Sequence, residues 1–279
     1  MTSQTATWVD GAPASVLALP DRALDFGDGL FETLLLRHGT PLYLDLHMQR
    51  LQRGLQALAF PDCLANVRRQ LTQVASSVQE SDWVWTALRV TVSRGSGPRG
   101  YAPPLTPRPR IIITVTQLGR DCAQLSEGAV LALAEMRWAA QPALAGIKHL
   151  NRLEQVLAAA QARAEGADEA VMLGQSGQLI SVVAGNLFLV RGGQLLTPTI
   201  QDSGIAGTRR QLVMERWAKL LGIGVQETNL SLDDLATADE VFYSNSLLGL
   251  RPVASFGDHQ WRDHSICQSL FELYRGELP

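Results

Sequence analysis

Lysine is almost absent from this chain, and one of its two lysines stands where no surface charge is expected. Of the 24 basic residues in 279, only Lys148 and Lys219 are lysine and all others are arginine. An arginine guanidinium stays protonated in a protein, whereas a lysine amine can lose its proton and act as a nucleophile, a carbonyl partner or a base. Lys148 follows the apolar run 142–147 and opens a helical stretch over 149–165 that ends at Gly166. A helix N-terminus favours the neutral amine, so this is the setting of a Schiff-base lysine. Lys219 shows the ordinary use, in the last turn of a helix stopped by Gly222, where a cation complements the dipole. A base-composition bias would also favour arginine, so rarity alone leaves both explanations open.

Several other stretches suit an anion. The loop Ser203-Gly204-Ile205-Ala206-Gly207-Thr208-Arg209-Arg210 runs straight into a helix with apolar Leu212, Val213, Trp217 and Leu220. Backbone N–H groups at such a start make a phosphate site, or an ordinary capped turn. Arg50, on an amphipathic helix directly before Leu51, is a second candidate phosphate ligand. Ser244-Asn245-Ser246, closing an apolar strand, offers hydroxyl and amide groups suited to ligand contact or a turn. The stretch 95–100 matches G-x-G-x-x-G, yet Pro103, Pro104 and Pro107 follow where a dinucleotide site needs a helix. It reads instead as a mobile loop carrying Arg94, Arg99 and Tyr101, residue types that hold a carboxylate. No Ser/His/Asp arrangement is suggested. An amine nucleophile beside separate phosphate candidates points to pyridoxal 5'-phosphate, whose aldehyde needs the lysine and whose phosphate needs the anion sites.

The elements that must position these residues read as α+β in both halves. Strands are expected at 14–19, 30–37 and 83–93 and at Arg110–Gln117, with helices over 46–58 and 63–77 and a Gly-rich turn at 25–29. After a linker at 118–128, strands are expected at 129–135, 186–190 and 240–243, and at Glu169–Leu173 and Leu179–Val182. Helices follow Gly207 and cover 265–274. The pattern predicts an N-terminal lobe (1–117) and a C-terminal cofactor-binding lobe (129–279) with a cleft between them. A net charge of −3 argues against a nucleic-acid binder. No apolar run reaches membrane-spanning length, and the N-terminus lacks the apolar core of a signal peptide. Three cysteines at unrelated spacings suggest neither a metal site nor disulfides, as expected in a reducing cytoplasm.

The stretch from Asp21-Arg22 through FGDGLFET (26–33) and the motifs HMQRLQ (47–52), SRGSGPRGY (93–101), LAGIKHLNRLEQVLA (144–158), ADEAVML (167–173), GNLF (185–188) and GIAGTRRQ (204–211) resemble the fold-type IV pyridoxal-phosphate enzymes. Within them the chain is most similar to the 4-amino-4-deoxychorismate lyases, with branched-chain and D-amino-acid aminotransferases as the alternative. The resemblance implies a homodimer, with the cofactor between two lobes and Lys148 as its Schiff-base partner. It implies cofactor contacts from Arg50, Gly207, Thr208, Arg209, Asn245 and Ser246, and substrate contacts from Asp28, Arg94, Arg99 and Tyr101. Family members commonly set a glutamate against the pyridine nitrogen, and the matching position here is Ser181. A hydroxyl would leave that nitrogen neutral, which hurts transamination more than β-elimination.

Overall fold

The computed structural model describes residues 4–279; Met1, Thr2 and Ser3, the start of the N-terminus read above as leader-free, lie outside the described residues. The chain forms two compact units, 4–121 with Ile147–Asn151 and Pro279, and Cys122–Gly146 with Arg152–Leu278.

The first unit begins with the hairpin β1 (Thr5–Val9) and β2 (Ala12–Pro13), turned at Asp10-Gly11, both at positive φ. Helix α1 (Arg22–Phe26) is capped by the Asp21 side chain and ended by Gly27. Strand β3 (Gly29–Arg37), strand β4 (Thr40–Pro41), helices α2 (Leu44–Ala57) and α3 (Leu64–Gln79), and strands β5 (Trp85–Ser93) and β6 (Arg110–Gln117) follow. The sheet order is β2-β1-β6-β5-β3-β4, all antiparallel. Two-residue alternation sends Leu30, Leu34, Leu36, Leu88, Val90 and Val92 into one core, against Met48, Leu51 and Leu55 of α2 and Val67, Leu71 and Val74 of α3. Each such side chain contributes about 1.5–3 kcal/mol when fully buried.

The second unit holds β7 (Ala129–Leu133), α4 (Leu153–Ala164), β8 (Glu169–Leu173), β9 (Leu179–Val182), β10 (Asn186–Arg191), β11 (Gln194–Pro198), α5 (Thr208–Leu212), α6 (Ala218–Leu220), β12 (Val225–Thr228), α7 (Leu232–Ala236), β13 (Glu240–Asn245), β14 (Gly249–Phe256), β15 (His259–Gln260) and α8 (Ser265–Gly276). A π-helical turn, Val213–Trp217, joins α5 to α6 without a break. The sheet runs β12-β11-β10-β13-β14-β7-β8-β9, with β15 on β14. Its pairs are mixed: β11–β12, β14–β7 and β7–β8 are parallel.

Three sequence expectations change. The stretch 14–19 is irregular chain with Val16 and Leu19 exposed, because the hairpin lies earlier, at the Asp10-Gly11 turn. The Gly-rich turn at 25–29 is the end of α1 and the start of β3. The Lys148 helix begins only at Leu153, and the Lys148 segment clusters with the first unit rather than with the C-terminal residues around it.

Candidate active site

Lys148 lies on extended chain upstream of α4, so the dipole argument for it fails, since a dipole acts within the first turn. What positions Lys148 is the edge of β3. The Phe31 N–H donates to the Lys148 carbonyl at 3.0 Å, the Leu150 N–H donates to the Gly29 carbonyl at 3.0 Å, and Leu30 bridges His149 antiparallel. Glycine at 29 permits this approach: a Cβ there would lie 2.6 Å from the Val92 carbonyl oxygen and 2.7 Å from Leu150 Cδ1. The amine itself sits on an aromatic ring, with Lys148 Nζ 4.2 Å from the Phe31 centroid. Arg89 of β5 lays its guanidinium on the same ring, with Cζ 3.8 Å from the centroid. Among the described residues no carboxylate pairs with Arg89; the residue is exposed overall, and the partial burial of its guanidinium lowers its pKa from the ordinary value. The Lys148 amine and the Arg89 guanidinium thus share one ring on this face of the sheet.

Glu32 occupies an inward slot of β3 between Leu30 and Leu34, 1 % exposed, where a lone carboxylate could not stay ionised. Helix α2 supplies its partners from one face. Arg50 donates from Nε at 2.8 Å and from Nη2 at 2.5 Å, and His47 Nδ1 lies 2.7 Å away. Burial pushes the Glu32 carboxyl up, but Arg50 and then His47 more than offset it and hold it at about 2. Sequence reasoning missed Glu32, although an acid at an inward position of an apolar strand was the available signal. It also placed Arg50 toward a phosphate without its counter-ion.

Asp28 and Arg94, expected at the substrate, are engaged inside the fold. Arg94 is 5 % exposed. Its Nε donates to Asp28, its Nη1 and Nη2 donate to the Ala59 and Leu58 carbonyls, and it stacks on Phe60. Asp28 also accepts from Arg22 Nε at 2.8 Å. Arg99 and Tyr101 are exposed, Tyr101 by 87 %. No helix follows the 95–100 stretch.

In the second unit, the loop before α5 is pinned from two sides. The Gly146 N–H donates to the Gly204 carbonyl, the Ala206 N–H donates to the Gly146 carbonyl, and Asn186 Nδ2 donates to the Ile205 carbonyl at 2.9 Å. Gly207 starts α5 with no side-chain cap, and a Cβ there would fall 1.9 Å from Asn186 Oδ1. The first-turn N–H groups of Thr208 and Arg209 have no acceptor within the helix. The Arg209 side chain turns inward, donating to Thr208 Oγ1 and to the Ser246 carbonyl, so only its backbone suits an anion. Asn245 Oδ1 accepts from the Leu247 and Leu248 N–H groups and so builds the turn that carries Ser246. Ser181 Oγ and Ser244 Oγ are both buried without a hydrogen-bond partner. In the second unit, a helix start without a side-chain cap and buried hydroxyls with unmet hydrogen bonds suit a phosphate, and in the first unit the edge-anchored amine suits an aldehyde. Among the described residues no cluster of His, Cys, Asp and Glu could hold a metal ion, and no helix is long and apolar enough to cross a membrane.

The family model for amino-transferase class IV matches residues 29–256. An aminodeoxychorismate lyase of Vibrio harveyi is 34% identical over 250 residues, covering 88% of this chain and 90% of that protein. A putative branched-chain-amino-acid aminotransferase of Methanocaldococcus jannaschii is 30% identical over 250 residues, covering 88% and 84%. The crystal structure of 4-amino-4-deoxychorismate lyase from Pseudomonas aeruginosa superposes with a TM-score of 0.90 at 39% identity, covering 98% of this chain and 99% of that one. The amine-bearing edge of β3 and the uncapped start of α5 thus belong to an enzyme fold, and the chain is a member of the class IV aminotransferase family, the fold-type IV pyridoxal-phosphate enzymes.

Proposed function

We propose that the protein binds pyridoxal 5'-phosphate through Lys148 and acts as a carbon–oxygen lyase, converting 4-amino-4-deoxychorismate to 4-aminobenzoate and pyruvate for folate biosynthesis. The observation that carries this reading is the Lys148 amine on the Phe31 ring beside Arg89, an amine and an unpaired cation on one face, suited to a substrate that is both an amine and a dianion. The names of the Vibrio and Pseudomonas relatives support it.

When bound, the cofactor supplies an electron-withdrawing ring that stabilises negative charge beside the amine-bearing carbon. The protein's residues do the rest. Lys148 would hold the cofactor through its amine, then, once the substrate amine replaces it, take the proton from the amine-bearing carbon. Loss of that proton drives the enolpyruvyl C–O bond to break, and the released enolpyruvate takes up a proton as pyruvate. Gly207, Thr208 and Arg209 would meet the phosphate with backbone N–H groups, with Ser246 beside them and Arg50, steadied by Glu32, adding charge. Ser181 would face the ring nitrogen with a hydroxyl where a carboxylate would keep it protonated. Arg89 would receive a substrate carboxylate, a task the sequence reading gave to Arg94, Arg99 and Tyr101.

The second reading, an aminotransferase of branched-chain or D-amino acids, is kept by the Methanocaldococcus relative. One assay separates them. 4-Amino-4-deoxychorismate should yield pyruvate in step with 4-aminobenzoate, while amino acids with 2-oxoglutarate should yield little glutamate; the reverse outcome sinks the lyase reading. We infer also a homodimer, which sedimentation equilibrium would test, in a reducing cytoplasm, consistent with three cysteines that form no disulfide.

A further inference from the structure

Arg22 plays no part in the reading above, yet few side chains in the first unit make as many directed contacts. It is 4 % exposed, and its Nε donates to Asp28. Its Nη1 donates to the Gly100 carbonyl at 3.1 Å and the Ala102 carbonyl at 3.3 Å, and its Nη2 donates to the Tyr101 carbonyl at 2.7 Å. Three consecutive loop carbonyls therefore converge on one guanidinium. The guanidinium also lies 4.7 Å from the Phe26 ring centroid, and the far partner of that ring is Tyr101, at 5.5 Å. Asp28 is shared with Arg94, so one carboxylate fixes two buried arginines, one on the helix before β3 and one at the end of β5. Gly97 closes the arrangement, since a Cβ there would press on Arg22 Cδ at 3.0 Å.

We propose that Arg22, with Asp28 as its counter-ion, is a positioning residue that latches the 100–102 backbone and so presents Arg99 and Tyr101 outward in one fixed conformation. A planar fork with five donors can bind three carbonyls and a carboxylate at once, whereas a lysine ammonium cannot span them. The loop's exposed side chains thus stand on a rigid base, which limits the entropy lost when they close on an anionic substrate. The kinetic part of this inference rests on the lyase reading; the conformational part does not.

Limited trypsin digestion of the whole enzyme reads the latch directly, because Arg99 is exposed and followed by Gly100. In the wild type, cleavage after Arg99 should be slower than after Arg137, which is also exposed and outside helices and strands. In Arg22→Ala and the milder Arg22→Lys, cleavage after Arg99 should quicken about tenfold while cleavage after Arg137 stays unchanged, as expected when one segment opens without global unfolding. With 4-amino-4-deoxychorismate, KM should rise several-fold and kcat stay within about twofold, the pattern of lost uniform binding. Wild-type cleavage after Arg99 as fast as after Arg137 overturns the latch, as does an unchanged Arg99 rate in a folded variant. Faster cleavage with unchanged KM overturns the positioning role. Should the enzyme prove an aminotransferase, the cleavage results still decide the latch, so the two failures are separable.

Discussion

Replacing Glu32 by glutamine would remove the anion that neutralises Arg50 inside the first core. The side chain keeps its size, so the change is mainly one of charge. Two estimates of its cost agree. A carboxyl held at about 2 against an ordinary 4.5 contributes about 3 kcal/mol of stability at neutral pH. Removing one partner of a buried ion pair costs about 3–5 kcal/mol, because the other charge is left uncompensated. For a chain of this size that lowers Tm by about 6–15 °C. The sign with pH follows from the depressed value: the stabilisation is complete above the unfolded-state pKa and disappears as pH falls through the folded one. Thermal melts of wild type and Glu32→Gln should therefore differ by a constant amount above pH 5, and the gap should shrink between pH 4.5 and 2. A variant within about 1 kcal/mol of wild type at pH 7, or a gap that does not close in acid, would refute the ion-pair account.

Gly207→Ala should weaken cofactor affinity at least about tenfold, since a Cβ 1.9 Å from Asn186 Oδ1 must displace either the α5 start or the Asn186 side chain that holds the Ile205 carbonyl; fluorescence titration with pyridoxal 5'-phosphate checks this, and unchanged affinity counts against a phosphate cradle there. Burial lifts the Glu169 carboxyl to about 7, although N–H groups of Ala184, Ala170 and Val183 and the charge of Arg251 pull it down. With the folded value raised, its contribution is present in acid and lost as pH rises from 4.5 through about 7. Wild type should therefore lose about 2–3 kcal/mol relative to Glu169→Gln across that window, read from denaturant midpoints; a flat difference contradicts it. Ser181→Glu should increase any side transaminase activity, and no gain with the cofactor still bound would argue against a neutral ring nitrogen.

Much of the architecture was legible where local signals agreed. Arg110–Gln117, Glu169–Leu173 and Leu179–Val182 match because apolar, β-branched runs with flanking turn residues leave little choice. Helices α2 and α3 announced themselves by three-and-four spacing. Strands β11, β12 and β14 and helix α7 were not legible, since they are short or contain polar residues and owe their form to sheet neighbours. Within the site, the sequence singled out Lys148 but misjudged what holds it: long-range pairing with β3, invisible to any local window, replaced the expected helix start. Asp28 and Arg94 were assigned outward for the same reason. Asp28 and Arg94 pair with each other across 66 residues, and Arg94 also binds the backbone carbonyls of Leu58 and Ala59, so no local window shows these partners. Arg89 escaped notice because a lone arginine in an alternating strand looks like a solvated one, and only the shared Phe31 ring distinguishes it.

The central claim is that Lys148 carries the cofactor. Borohydride reduction of the purified enzyme, followed by proteolysis and mass-spectrometric mapping, addresses it most directly. The predicted result is one phosphopyridoxyl adduct per chain, on the Lys148 peptide, absent from Lys148→Ala along with the near-visible absorbance. An adduct on Lys219, or a protein that cannot be reconstituted with pyridoxal 5'-phosphate and gains no adduct, would contradict the account.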